Sequence, residues 1–175
     1  MTKSLYVMRH AKSSWTDSSV PDFDRPLARR GEKAARRMAL QLARVLPLPE
    51  LVLCSAATRA VRTYEPIAEL LGSSVEVQLE EELYGAGGTA LLARLRALPE
   101  QAESVLLIGH NPGVQDLLIE LASDGDPARL DSVRAGFPTC ALATLRVRSR
   151  WSELGPSTAS LEGLLLPRTL PNQSR

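Results

Sequence analysis

Leu5-Tyr6-Val7-Met8-Arg9-His10 joins four apolar residues directly to a cation and an imidazole. The apolar run has no polar alternation, the pattern of a β-strand covered on both faces. It breaks off into a polar stretch, Ser13 to Asp24, so Arg9 and His10 fall at the carboxyl end of the strand. Two further runs repeat the arrangement. Leu51-Val52-Leu53-Cys54 leads into Ser55, Arg59 and Arg62, and Val105-Leu106-Leu107-Ile108 leads into Gly109-His110.

The segments between these strands have helical periodicity. Pro26 opens a stretch in which Leu27, Ala34, Met38, Leu42 and Val45 share one face, at three- and four-residue spacings. Arg29, Arg30, Lys33, Arg36, Arg37 and Arg44 take the other positions, which predicts a solvated basic face. A helix from Thr58 to Leu71 stops at Gly72 and carries Pro66, which is expected to kink it. Val75, Val77 and Leu79 alternate with polar residues and predict a strand with one wet face. Helices follow over 89–98 and 112–122, a loop over 123–136, and strands over 141–147 and 161–166, the last near an edge. Strands alternating with helices predict parallel crossovers. The expected fold is a three-layer α/β/α sandwich with a mostly parallel central sheet, one domain over residues 1–166, and a flexible tail over 167–175.

Composition sets the outer bounds. At 175 residues, 44% hydrophobic and 23% charged, the chain has the material for one ordinary core. The net charge of +1 gives no reason to expect nucleic acid as a partner. Cys54 and Cys140 are not in metal-ligand spacing, and Cys54 ends an apolar run as a small hydrophobe would. The apolar run before Arg9 is too short for a signal peptide. No stretch approaches the ~20 apolar residues of a membrane span. The expectation is a cytoplasmic protein without membrane contact.

In open α/β sheets ligands bind beyond the carboxyl ends of the strands. Both histidines of the chain, His10 and His110, therefore face one edge, with Arg9, Arg59 and Arg62 beside them. Arginine forks match phosphate oxygens and stay charged at every relevant pH. Helix N-termini after Ser55 and Asn111 add backbone N–H groups at the same place. A neutral imidazole is a competent nucleophile, and neighbouring arginines favour the neutral form. No carboxylate cluster with metal spacing accompanies these residues, so neither metal nor cofactor is expected. The assembly reads as phosphoryl transfer through a covalent phosphohistidine. Ser13 and Asn111 are candidate phosphate contacts, with loop capping the competing role for Ser13. Arg62 stands between substrate contact and surface pairing.

These residues also carry a resemblance. Leu5 to Ser13 resembles the first signature of the histidine phosphatase superfamily, with Ala11 where glycine is usual. Ser55-Ala56-Ala57-Thr58-Arg59-Ala60 resembles the second motif and Gly109-His110-Asn111 the third. Arg9-His10-Ala11-Lys12-Ser13-Ser14-Trp15, the downstream Asp24-Arg25-Pro26-Leu27 and Gly31, and the short length are similar to the SixA group of phosphohistidine phosphatases. The resemblance implies a phosphoglycerate mutase-like fold, His10 as nucleophile, and Arg9, Arg59 and His110 as the phosphate pocket. It also implies a glutamate as general acid. Glu82 in Glu80-Glu81-Glu82-Leu83 is the candidate, with Asp17 and Asp22 as rivals and a solvated acidic turn as the plain alternative.

The chain between Arg59 and His110 is consumed by a helix, a strand and another helix, which leaves little for a closing lid. A mutase must shield its phosphoenzyme from water. An open site favours hydrolysis and a bulky substrate, such as a histidine-phosphorylated signalling domain. An imidazole leaving group, of pKa about 6.5, departs with less help from an acid than an alkoxide near water's value of about 15.7. The enzymatic alternative is a phosphatase of small phosphoesters. The non-enzymatic one is a phosphoprotein-binding module.

Overall fold

The computed structural model describes residues 2–44, 47–72 and 75–170. Seven strands form one sheet: β1 (Lys3–Arg9), β2 (Leu51–Ser55), β3 (Glu76–Glu80), β4 (Ser104–Gly109), β5 (Ala122–Gly125), β6 (Leu142–Val147) and β7 (Ala159–Leu165). Their order is β3-β2-β4-β1-β6-β7-β5. Pairings β1–β4, β2–β4, β2–β3 and β5–β7 are parallel, and β6 is antiparallel to both β1 and β7. Five helices connect them: α1 (Arg29–Leu42), α2 (Thr58–Leu71), α3 (Gly88–Arg96), α4 (Gly113–Leu121) and α5 (Pro127–Ala135).

The missing alternation in the central strands follows from their burial. In β1, Leu5 and Val7 enter the core beneath α3, α4 and α5, while Tyr6 and Met8 enter the core beneath α1 and α2. Strands β2 and β4 divide their apolar side chains in the same way. Both cysteines belong to the α1–α2 core and are unpaired, and burial pushes each thiol up to about 12.

Several local expectations give way to tertiary context. Helix α1 starts at Arg29, not Pro26, because Leu27 pairs in a short bridge with Ser13 and Ala28 N–H donates to the Lys12 carbonyl. Leu27, Met38 and Leu42 are nevertheless buried. Val45, placed on the same face by the periodicity, lies outside the described residues. Strand β3 inverts the expected faces. Val77 and Leu79 are exposed, while Gln78 and Glu80 are partly covered and accept hydrogen bonds from Arg94 of α3. As an edge strand, β3 gains its cover from that polar network rather than from apolar packing.

The segment over 123–136 is not a loop. It completes β5 and forms α5, opened by Asp126, whose side chain accepts from Ala128 N–H, and by Pro127 in the first turn. The edge strand on that side is therefore β5, with β7 one position inside it. The start of the expected tail is also ordered. Pro167–Thr169 form a 3-10 turn, Leu170 is buried against the α1–α2 core, and Arg37 donates to the Leu170 carbonyl.

Two glycines let helices approach the loops that carry the strand-end residues. A Cβ on Gly31 would lie 2.2 Å from the Lys12 carbonyl oxygen, and one on Gly113 would lie 1.9 Å from that of Ala86. Alanine is the better helix former, yet Gly31→Ala is expected to lower stability by about 1–3 kcal/mol, because the Lys12 backbone must move to admit the methyl group. Urea unfolding checks this. An unchanged midpoint would show that α1 does not need so close an approach.

Candidate functional site

The parallel registers bring the strand ends level. Arg9 pairs with Gly109 and Cys54 with Ile108, so His10, Ser55 and His110 emerge side by side. The His10 and His110 ring centroids are 4.9 Å apart. Hydrogen bonds fix the loops behind them. Ala11 N–H donates to Thr63 Oγ1 of α2, whose hydroxyl donates to the Arg59 carbonyl. Cys140 N–H is shared by the carbonyls of Arg9 and His10.

Each imidazole has one nitrogen committed. His10 Nδ1 lies 2.7 Å from the Ala11 carbonyl, which can only accept, so Nδ1 carries the proton and Nε2 carries the lone pair. His110 Nε2 lies 2.8 Å from Ser55 Oγ, which already accepts from Ala57 N–H. The Ser55 hydroxyl is then best spent on His110 Nε2, leaving Nδ1–H as a donor. His110 Nδ1, Arg9 Nε and Arg59 Nε are buried and without a hydrogen-bond partner. Buried donors cost stability unless an acceptor meets them. All three residues act electrostatically on His10, so together they offer a candidate cradle for an anion near its unprotonated nitrogen.

Burial is the main reason that both rings are neutral. It pushes His10 down to about 3, with further lowering from His110, Arg59 and Arg9. His110 falls to about 4, through burial first and then Arg59. The arginine effect expected from the sequence is present, but desolvation exceeds it.

Asp22 is the carboxylate that the fold delivers to this site. One of its oxygens accepts from Nε and Nη2 of Arg25, and the other accepts from Arg59 Nη2 at 3.0 Å and from the Tyr84 hydroxyl at 2.7 Å. The Tyr84 hydrogen bond, then Arg25 and Arg59, hold Asp22 ionised at about 2. The Tyr84 ring stands edge-on to His110 and Phe23. Trp15, 70% exposed, lies against the Arg25 guanidinium at 3.5 Å.

The other candidates sort themselves by position. Glu82 is exposed on the turn Glu81–Leu83, and no hydrogen bond or ion pair joins it to the site. Ser13 Oγ is buried and accepts from Arg25, a role in the loop's structure. Arg62 is exposed and pairs with Glu65, the surface role. Asn111 Nδ2 donates to Gln115 and to the Phe137 carbonyl, which Arg9 Nη1 also reaches. Asp17 is exposed and caps its own turn at Ser19. Sequence reasoning passed over Arg25 and Tyr84 as site residues and named Ser55 only as a strand end. Arg25 stands out in the sequence solely as part of a motif, and nothing local to Tyr84 announces that it will meet His110. Among the described residues no group of histidine, cysteine, aspartate or glutamate could hold a metal ion.

A sequence profile of the histidine phosphatase superfamily (branch 1) matches residues 5–86. The phosphohistidine phosphatase SixA of Escherichia coli is 32% identical over 143 residues, covering 81% of this chain and 83% of that protein. The chain belongs to the histidine phosphatase superfamily. A solved structure of a putative phosphohistidine phosphatase SixA from Nakamurella multipartitia superposes with a TM-score of 0.81, at 32% identity, covering 95% of this chain and 97% of the other. A protein histidine phosphatase SixA complexed with tungstate superposes with a TM-score of 0.77, at 27% identity, covering 96% and 99%. This histidine phosphatase is thus of the SixA type and a hydrolase, with the phosphoglycerate mutase-like fold expected.

Two measurements probe the cradle. Since both imidazole pKa values lie below the unfolded value of about 6.5, the unfolded chain binds more protons as pH falls between them. The stability that these neutral rings represent is fully present above pH 6.5 and is lost on acidification. A carbon-13 NMR titration should find both rings neutral at pH 5.5 in the folded protein. A folded-state midpoint near 6.5 for either would refute the burial argument. Arg59→Ala should lower kcat/KM roughly ten- to hundredfold, the loss of a charge-assisted hydrogen bond of about 1.5–3 kcal/mol. Arg62→Ala should leave it nearly unchanged, because Arg62 is exposed and pairs with Glu65, and equal losses would place the wrong arginine in the pocket.

Proposed function

We propose that this histidine phosphatase hydrolyses phosphohistidine in a cytoplasmic protein through a phosphorylated His10, with Arg9, Arg59 and His110 holding the phosphoryl oxygens. His10 Nε2 attacks phosphorus, and the N–P bond pair departs with the substrate's ring. A phosphohistidine protonated on its far nitrogen leaves as neutral imidazole and needs no further proton. Hydrolysis then repeats the same step in the enzyme. The Nδ1–H held by Ala11 lets His10 leave as neutral imidazole when water attacks the phosphoryl group. A proton of that water passes to the phosphate formed.

The state of Asp22 carries this choice of leaving group. The carboxylate nearest the cradle is held ionised by Tyr84, Arg25 and Arg59. An ionised carboxylate has no proton to give an alkoxide, whereas an imidazole needs none. Glu82, the acid expected from the sequence, is not tied to the site. The exposed Trp15 and Tyr84 at the rim favour a substrate that presents a surface rather than a small molecule to be enclosed.

The test compares kcat/KM for a phosphohistidine peptide, an aryl phosphate and an alkyl phosphate in wild type, Glu82→Gln and His10→Ala. The expected order is phosphohistidine, then aryl, then alkyl. Glu82→Gln should stay within about twofold throughout, where a working general acid would contribute about 10²–10⁴-fold. His10→Ala should abolish both turnover and the acid-labile, base-stable phosphate label. Alkyl phosphate turned over as well as phosphohistidine, or label retained without His10, would refute the proposal.

A further inference from the structure

A cavity of about 400 Å³ opens at Arg9, beside the candidate site, and is bounded by α4, α5 and the turn after β7. Its wall includes Arg9, Asn111, Gln115, Phe137, Leu166 and Arg168. Arg9 links it to the chemistry, since the residue that precedes the nucleophile also lines the cavity. Phe137 and Leu166 offer apolar surface. Asn111 presents a buried Oδ1 with no hydrogen-bond partner, an acceptor suited to a donor brought by the substrate.

The charge of this cavity distinguishes it. No aspartate or glutamate is among the residues that line it. The groove between α1 and α2 is different, with Glu32, Glu65 and Glu69 facing Arg36 and Arg62. Some exposed arginines elsewhere have carboxylate partners, as Arg134 has Asp131, Arg146 has Glu162 and Arg148 has Asp124, while Arg29, Arg30, Arg44 and Arg150 have none among the described residues and line no cavity that reaches the candidate site. Arg168 is exposed and has no such partner among the described residues. Its position is nonetheless fixed, because Leu166 lines the cavity before it and buried Leu170 anchors the chain after it. An unpaired cation held beside an acceptor-bearing, partly apolar wall suits an acidic peptide segment, whose backbone N–H can meet Asn111 and whose carboxylate can meet Arg168.

We propose that this cavity is the subsite for the polypeptide flanking the phosphorylated residue, and that Arg168 selects an acidic side chain there. The proposal rests on the reading of the enzyme as a protein phosphatase and names the sequence character of its substrate. Arg168 touches none of the reacting atoms, so its effect belongs to recognition.

The experiment uses the full chain, as wild type and Arg168→Glu, with phosphohistidine peptides whose flanking positions are either glutamate or alanine. A matched pair carrying phosphotyrosine and a small aryl phosphate complete the panel. Wild type should prefer the acidic peptide by about fivefold in kcat/KM, as exposed ion pairs do, with the preference shrinking in salt. Arg168→Glu should abolish or reverse that preference and leave aryl phosphate turnover unchanged, which also shows the variant to be folded. No preference in wild type, a preference that survives in Arg168→Glu, or an equal loss on the aryl phosphate would overturn the subsite. If phosphotyrosine peptides are turned over and phosphohistidine peptides are not, the proposed leaving group is wrong, and the phosphotyrosine pair decides the subsite by the same criterion. Turnover of the aryl phosphate with neither peptide pair would overturn it outright.

Discussion

The level pairing of β1, β4 and β2 is the constraint on which the rest depends. Parallel strands in register end together, and their last side chains are delivered to one edge without any loop having to fold over them. His10, its partner imidazole and the hydroxyl that orients that imidazole each come from a different strand end. A slip of one residue in β1 would send His10 to the opposite face and part it from His110. The two-sided core resists such a slip, because it would also exchange Leu5 and Val7 with Tyr6 and Met8. Hydrophobic packing of the sheet thus sets the geometry of polar side chains that lie beyond the ends of its strands.

The same burial that fixes the geometry sets the charges. Dry surroundings keep both rings neutral and bury the Nε of Arg9 and of Arg59 without a partner. Such an arrangement works against the apo protein, and Asp22 partly offsets it by serving as an internal counter-ion for Arg59. On the proposed mechanism, an incoming phosphoryl group meets a cradle whose charge is already partly balanced, which favours release of phosphate as well as its capture.

Legibility in the sequence followed the range of the interactions. The central strands, α2 with its Gly72 stop, and the gathering of His10, Arg9, Arg59 and His110 at one sheet edge were readable, because each is announced by local hydrophobic runs and by what terminates them. Helix α5 was hidden by composition. Asp126-Pro127 and Gly136 looked like loop residues and are its start and stop. The faces of β3 depended on Arg94 from a later helix, which periodicity cannot see. Glu82 and Asp22 illustrate the same limit at the site. Both lie on polar turns of similar composition, and only long-range pairing with Arg59 and Tyr84 separates the carboxylate that enters from the one that stays in solvent.

The two buried cysteines have a consequence for the conditions under which the chemistry runs. Reactive thiols are oxidised as thiolates, and burial keeps Cys54 and Cys140 protonated and out of reach of water. The proposed nucleophile is a ring nitrogen, which peroxide does not carry up the ladder of sulfur acids. Phosphatases built on an activated cysteine fall silent under oxidants, and their signals rise. On the proposed mechanism, phosphoryl transfer through His10 has no such off-switch, and its rate is independent of the redox state around it.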